Sequence, residues 1–186
     1  MAEKRNRTSN FLYMLLSIFI KVQKISSLKN ILHDMNDFSF IIESLVNADK
    51  PTVWNHITQM KNVNAELMPF AKMTFPKDRS EIGNNEVPLH QTLFKSYVLL
   101  FGFIPADIHY LKLDKVDIGN AFYENSTTLT HKYWKHTRTL TAHNGKTLVR
   151  DEIHFSPRLS FLGNAFLPVL KAIFKNRHEN LQKFFE

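Results

Sequence analysis

Cysteine is absent from the chain, which excludes disulfides, thiol nucleophiles and zinc sites built on thiolates. Glycine is scarce, with five in 186 residues. Neither G-x-G-x-x-G nor G-x-x-x-x-G-K-[ST] occurs, so the loops that cradle dinucleotides and nucleoside triphosphates are missing. There is no H-E-x-x-H pair among the nine histidines. His131 and His136 lie on one expected strand at an odd spacing, which predicts opposite faces. No metal and no cofactor are therefore expected, and the histidines are read as surface and pocket-edge residues. No apolar run is long enough to cross a hydrocarbon core of about 30 Å.

Phenylalanine is abundant, with sixteen residues, which suits bulky walls around a core or pocket. The formal charge of +7 is unevenly spread. Lys4, Arg5, Arg7, Lys21, Lys24 and Lys29 stand against Glu3 and Asp34, leaving +4 in the first 34 residues and +3 in the rest. The folded body is then nearly balanced, which argues against a nucleic-acid-binding face. Residues 1–36 are read as a basic, apolar appendage and 37–186 as the domain. The apolar run Phe11–Ile20 follows the basic start and is closed at once by Lys21. Three readings of it stay open: a helix resting on the domain or a membrane surface, a signal peptide, or a misplaced start codon. The expected location is the cytoplasm, with peripheral membrane contact through the N-terminus.

From Phe38 to Val46 aromatic and β-branched residues predict a strand. Asp49 is a helix N-cap followed by Lys50 and Pro51 in the first turn, where proline forfeits no hydrogen bond. Val53, Trp54, Ile57 and Met60 recur at helical spacing. A second short helix is predicted over 63–68, ending at Pro69, and a loop over 76–88. Strands are then expected over 93–103, 108–116, 121–128, 129–141 and 147–155. A long helix over 161–185 closes the chain, with Pro168 near its start.

Asn144-Gly145 is a strong two-residue hairpin signal and sets a register. Leu140 then opposes Val149, Arg138 opposes Asp151, His136 opposes Ile153, and Trp134 opposes Phe155, all on one face. The other face carries Thr137, Thr139, Lys135, Arg150, Glu152 and His154 and is predicted to meet solvent. His136, Arg138 and Asp151 are the polar members of the inward face. Two readings of the cross-strand ion pair compete: a clasp partly solvated at the sheet edge, or the polar floor of a cavity. Arg177 lies on the inward stripe of the last helix, in step with Leu170, Ile173 and Leu181.

The order of one strand, two short helices, a strand series and a long final helix resembles the START-like helix-grip superfamily (SRPBCC). Ala48-Asp49-Lys50-Pro51 with Val53-Trp54, Asn64-Ala65-Glu66-Leu67-Met68-Pro69, Trp134-Lys135-His136-Thr137-Arg138, Asp151 with Phe155 and Pro157, and Ile173-Phe174 with Arg177-His178 and Leu181 carry the resemblance. It implies an α+β fold in which a curved antiparallel sheet wraps a long C-terminal helix and encloses a cavity for a hydrophobic small molecule or lipid. On that basis His136, Arg138, Asp151 and Arg177 are expected at the cavity's polar end, and Trp54, Trp134, Ile153, Phe155, Leu170 and Ile173 on its wall. No catalytic set follows, so a carrier role is favoured over an enzyme. The alternatives are a cyclase or dehydratase with His136 as general acid/base, and a membrane-associated accessory protein.

Overall fold

A computed structural model describes residues 37–83 and 86–186. The N-terminal run read above lies outside the described residues. Seven strands form one antiparallel sheet in the order β1-β7-β6-β5-β4-β3-β2. They are β1 (Phe38–Val46), β2 (Ala71–Met73), β3 (Thr92–Leu100), β4 (Ile104–Asp117), β5 (Ala121–Thr128), β6 (His131–His143) and β7 (Lys146–Pro157). Two short helices, α1 (Lys50–Ile57) and α2 (Met60–Leu67), separate β1 from β2, and α3 (Gly163–Phe184) closes the chain. This is the helix-grip architecture expected from the element order.

Local chemistry explains the boundaries. The Asp49 carboxylate accepts a hydrogen bond from the Thr52 amide at 3.0 Å and starts α1. At the β6–β7 turn Asn144 and Gly145 both take positive φ, 50° and 77°, as a type I′ turn requires. The whole predicted ladder follows, from His143–Lys146 through Arg138–Asp151 to Trp134–Phe155. Trp134 is buried, while Lys135 and His154 are exposed.

β2 has no counterpart in the sequence reading. It is too short to show an alternation, and it is held from outside: Asn64 on α2 donates to the Met73 carbonyl and accepts from the Met73 amide. β4 begins at Ile104 and includes Pro105, beside an irregularity in the β3–β4 register. Such irregularities recur in β3–β4, β4–β5 and β6–β7, and bulges bend and twist a sheet. The sheet curves accordingly around α3, which packs on β1 and α2. At the first residue of α3 a Cβ on Gly163 would fall 2.0 Å from the Phe38 ring. The helix meets β1 there only because that position carries no side chain.

Candidate functional site

Between the sheet and α3 lies a cavity of about 160 Å³. Most of its wall is apolar, including Met60, Leu111, Phe122, Trp134, Leu170 and Ile173. The polar side chains on it are Asp107, His109, Glu124, Thr128, His131, His136 and Arg177. Of the residues expected to line it, Trp134, His136, Leu170, Ile173 and Arg177 do. Trp54, Ile153 and Phe155 do not. Trp54 belongs to the core cluster that includes Val46, Val149 and Leu181, whereas Ile153 and Phe155 have no solvent exposure. Phe155 is covered by Phe38, Trp134 and His131, whose ring centres lie 5.5, 6.1 and 5.3 Å from its own.

Arg138 and Asp151 are neither at a sheet edge nor on the cavity wall. Both are fully buried on interior strands. Arg138 donates from Nε and Nη2 to the two Asp151 oxygens, each at 2.6 Å, and from Nη1 to Glu66 Oε2 at 2.9 Å. Arg177 Nη2 shares that Glu66 oxygen at 3.0 Å. The Asp151 carboxylate also faces His136 Nε2 at 3.0 Å and His178 Nε2 at 3.1 Å. His178 Nδ1 in turn pairs with the Ser44 hydroxyl at 2.7 Å. On its cavity side, His136 Nδ1 is 3.6 Å from Glu124 Oε2. Glu124 is hydrogen-bonded to His109 and accepts from the Ser126 hydroxyl.

This arrangement fixes the charges. Burial opposes ionising Asp151, but Arg138 and His136 outweigh it and hold the carboxyl well below the usual range. Glu124 is lowered in the same way against its burial, chiefly by His109. Burial would lower His136, yet Asp151 and Glu124 on its two sides raise it. Burial and then the neighbouring Arg138 lower Arg177. Three acids (Glu66, Glu124, Asp151) thus meet two arginines and a His136 favoured as imidazolium, so Asp151 and Glu124 are each offset by cationic neighbours within the buried cluster.

A second group of polar side chains, Asp107, Thr128 and His131, also lines the cavity. The Thr130 hydroxyl donates to Asp107 Oδ2 at 2.6 Å and lies 2.8 Å from His131 Nδ1. Since the threonine proton goes to Asp107, the proton between Thr130 and His131 belongs to Nδ1. Burial raises Asp107, but His131, Thr130 and Thr128 bring it down to about 2. Two cavity-lining side chains keep a nitrogen without a partner, His131 Nε2 and Arg177 Nε.

The histidine reading needs correction. His56, His109, His131, His136 and His178 are buried, and His131 and His136 line the same cavity. The register shift between His131 and Tyr133 resets the strand's alternation, so an odd spacing brings both inward. Among the described residues no three His, Asp or Glu side chains are arranged to hold a metal ion.

Glu66, Glu124 and His109 are site residues that the sequence reading passed over. Each carried a signal. Glu66 stands three residues after Val63 on the inward stripe of α2. Glu124 alternates with Phe122 and Ser126 on β5, and His109 with Leu111 and Leu113 on β4.

Solved structures share this fold. Protein CV1439 from Chromobacterium violaceum is 11% identical with a TM-score of 0.60, over 80% of this chain and 97% of that one. DynU16, from the dynemicin biosynthetic locus, is 14% identical with a TM-score of 0.51, over 77% of this chain and 46% of its own length. Ara h 8.0201 is 13% identical with a TM-score of 0.50, over 78% and 97% of the two chains. At such identities the likeness concerns the fold alone. No curated protein matches significantly in sequence. One family profile does match, over residues 44–185, and the chain belongs to that family, described as Domain of unknown function (DUF8410).

Proposed function

We propose that this domain is a START-like helix-grip (SRPBCC) protein that holds a compact, mostly apolar small molecule between its sheet and α3. The cavity carries this reading: it is apolar over most of its wall, with Arg177, His136 and His131 among its few polar members. Its volume of about 160 Å³ is below the roughly 300–1,000 Å³ of drug-sized pockets. It is close to the ~150 Å³ at which an engineered apolar cavity takes up a single aromatic ring. A ring or short chain fits that size, and a two-chain lipid does not. An acid/base role for His136 has less support, because both its nitrogens face carboxylates and neither is left for a substrate.

Native mass spectrometry of protein purified from its own host tests the proposal, followed by thermal-shift titration with indole, hexanoate and 1-hexanol. A retained small-molecule mass, or stabilisation by one of these probes that is lost in the cavity-filling variant Ile173→Phe, is the expected result. No retained mass and no probe-dependent shift, or shifts that persist in the filled variant, would overturn it.

A further inference from the structure

Among the described residues, sixteen large apolar side chains are well exposed. Strand connectivity gathers several of them at one end of the sheet. In an antiparallel sheet of this order, the α2–β2, β3–β4, β5–β6 and β7–α3 connections all emerge on the same side. Hydrogen bonds tie neighbours among them together: Phe101 N to Phe70 O, and Arg158 N to Thr130 O. These connections carry Met68 and Phe70, Phe101 and Phe103, Leu129, and Phe161, with Phe103 72% and Phe161 74% exposed. Two turns at the other end, Asp117–Asn120 and His143–Lys146, are polar apart from Ile118, and the β2–β3 connection there exposes Leu89 among its large apolar side chains.

Cations stand beside the apolar tips. Lys61 and Lys72 line a surface groove together with Met68, Phe101 and Phe103, and Lys132 follows the β5–β6 connection. Among the described residues, none of these three lysines forms an ion pair within the domain. Asp107, the acid nearest the β5–β6 connection, is already engaged by Thr130 and its neighbour His131.

We infer that this end of the domain is a docking surface for an anionic lipid bilayer, with the exposed phenylalanines entering the interfacial layer and the lysines meeting the headgroups. Aromatic tips on separate turns with lysines between them match an apolar layer under a negatively charged one. Exposed apolar patches rimmed by polar residues mark interaction sites. The inference rests on the surface alone and does not depend on what the cavity holds.

The absence of cysteine allows a direct test on the full chain. Phe103→Cys, Phe161→Cys and, at the opposite end, Ile118→Cys are each labelled with an environment-sensitive fluorophore. They are then mixed with phosphatidylcholine vesicles with or without phosphatidylglycerol. Labels at 103 and 161 should brighten, shift to the blue and be quenched by spin-labelled acyl chains, while 118 stays unchanged. In unlabelled protein, replacing Lys61 or Lys72 by glutamine should weaken partitioning onto the anionic vesicles by about fivefold per lysine. Binding through the N-terminal sequence alone would leave 103 and 161 silent and overturn the inference. So would an equal response at 118, or a response that rises with protein concentration without vesicles, which would assign the face to a second copy of the chain.

Discussion

Arg138 uses Nε and both terminal nitrogens on two carboxylates while having no solvent exposure. Burial alone would lower its pKa, and Asp151 and Glu66 raise it instead. Removing it leaves two buried anions without their principal cation, a loss of about 3–5 kcal/mol. Arg138→Ala should therefore unfold at much lower denaturant than the wild type. Arg138→Lys should recover only part of the loss, because a single ammonium cannot replace the fork that meets both Asp151 oxygens and Glu66. Urea unfolding of the two variants checks the order; equal midpoints for Lys and wild type would show that charge alone matters. Replacing Arg138 and Asp151 together by apolar residues gives no neutral control here. His136, His178 and Glu66 would each lose a partner.

At the scale of elements, the β6–β7 hairpin places the charged cluster. Asp151 faces Arg138 only in the register that the Asn144-Gly145 turn imposes, and a slip of one residue would turn it to the outer face. Gly145 has φ 77°, a region where a side-chain-bearing residue costs about 1–2 kcal/mol. Gly145→Val should lower stability by at least that amount in chemical denaturation, whereas Lys146→Thr beside it should have little effect. Gly163 predicts a second departure from simple propensity. Alanine is the better helix former by about 1 kcal/mol, yet Gly163→Ala should destabilise, since the added Cβ meets the Phe38 ring.

For the whole molecule, the buried charges predict a stability optimum bounded on both sides. Asp151, Glu124 and Asp107 have folded values below their ordinary ones. Their stabilisation is complete above the unfolded carboxylate range, about pH 4, and is lost as pH falls toward those lowered values. His136 is raised, so its contribution is complete below about pH 6.5 and is lost as pH rises through the raised value. His56 acts oppositely. Burial lowers it, so the domain gains stability as pH rises from that lowered value toward about 6.5. Melting temperature followed against pH should fall on the acid side and again as pH rises beyond about 6.5. His136→Gln should flatten the alkaline limb; an unchanged limb would mean that His136 is not the group responsible.

What the sequence by itself determined was local. The Asp49 cap, the Asn144-Gly145 turn, the inward face of the hairpin and the apolar stripe of the last helix depend on residues near one another in the chain. From them the helix-grip order and the Arg138–Asp151 pairing could be read. What only the tertiary structure decided depends on residues far apart. β2 exists because Asn64 clamps it, and His131 turns inward because of a bulge that no local alternation announces. Arg138 joins Glu66, from a helix 72 residues earlier in the chain, rather than lining the cavity. Burial determines which polar groups must find partners, and burial belongs to the packed sheet and helix together. Trp54, Ile153 and Phe155 were legible as inward-facing residues and were expected on the cavity wall. Whether such a residue faces a void or another ring depends on the curvature of the whole sheet.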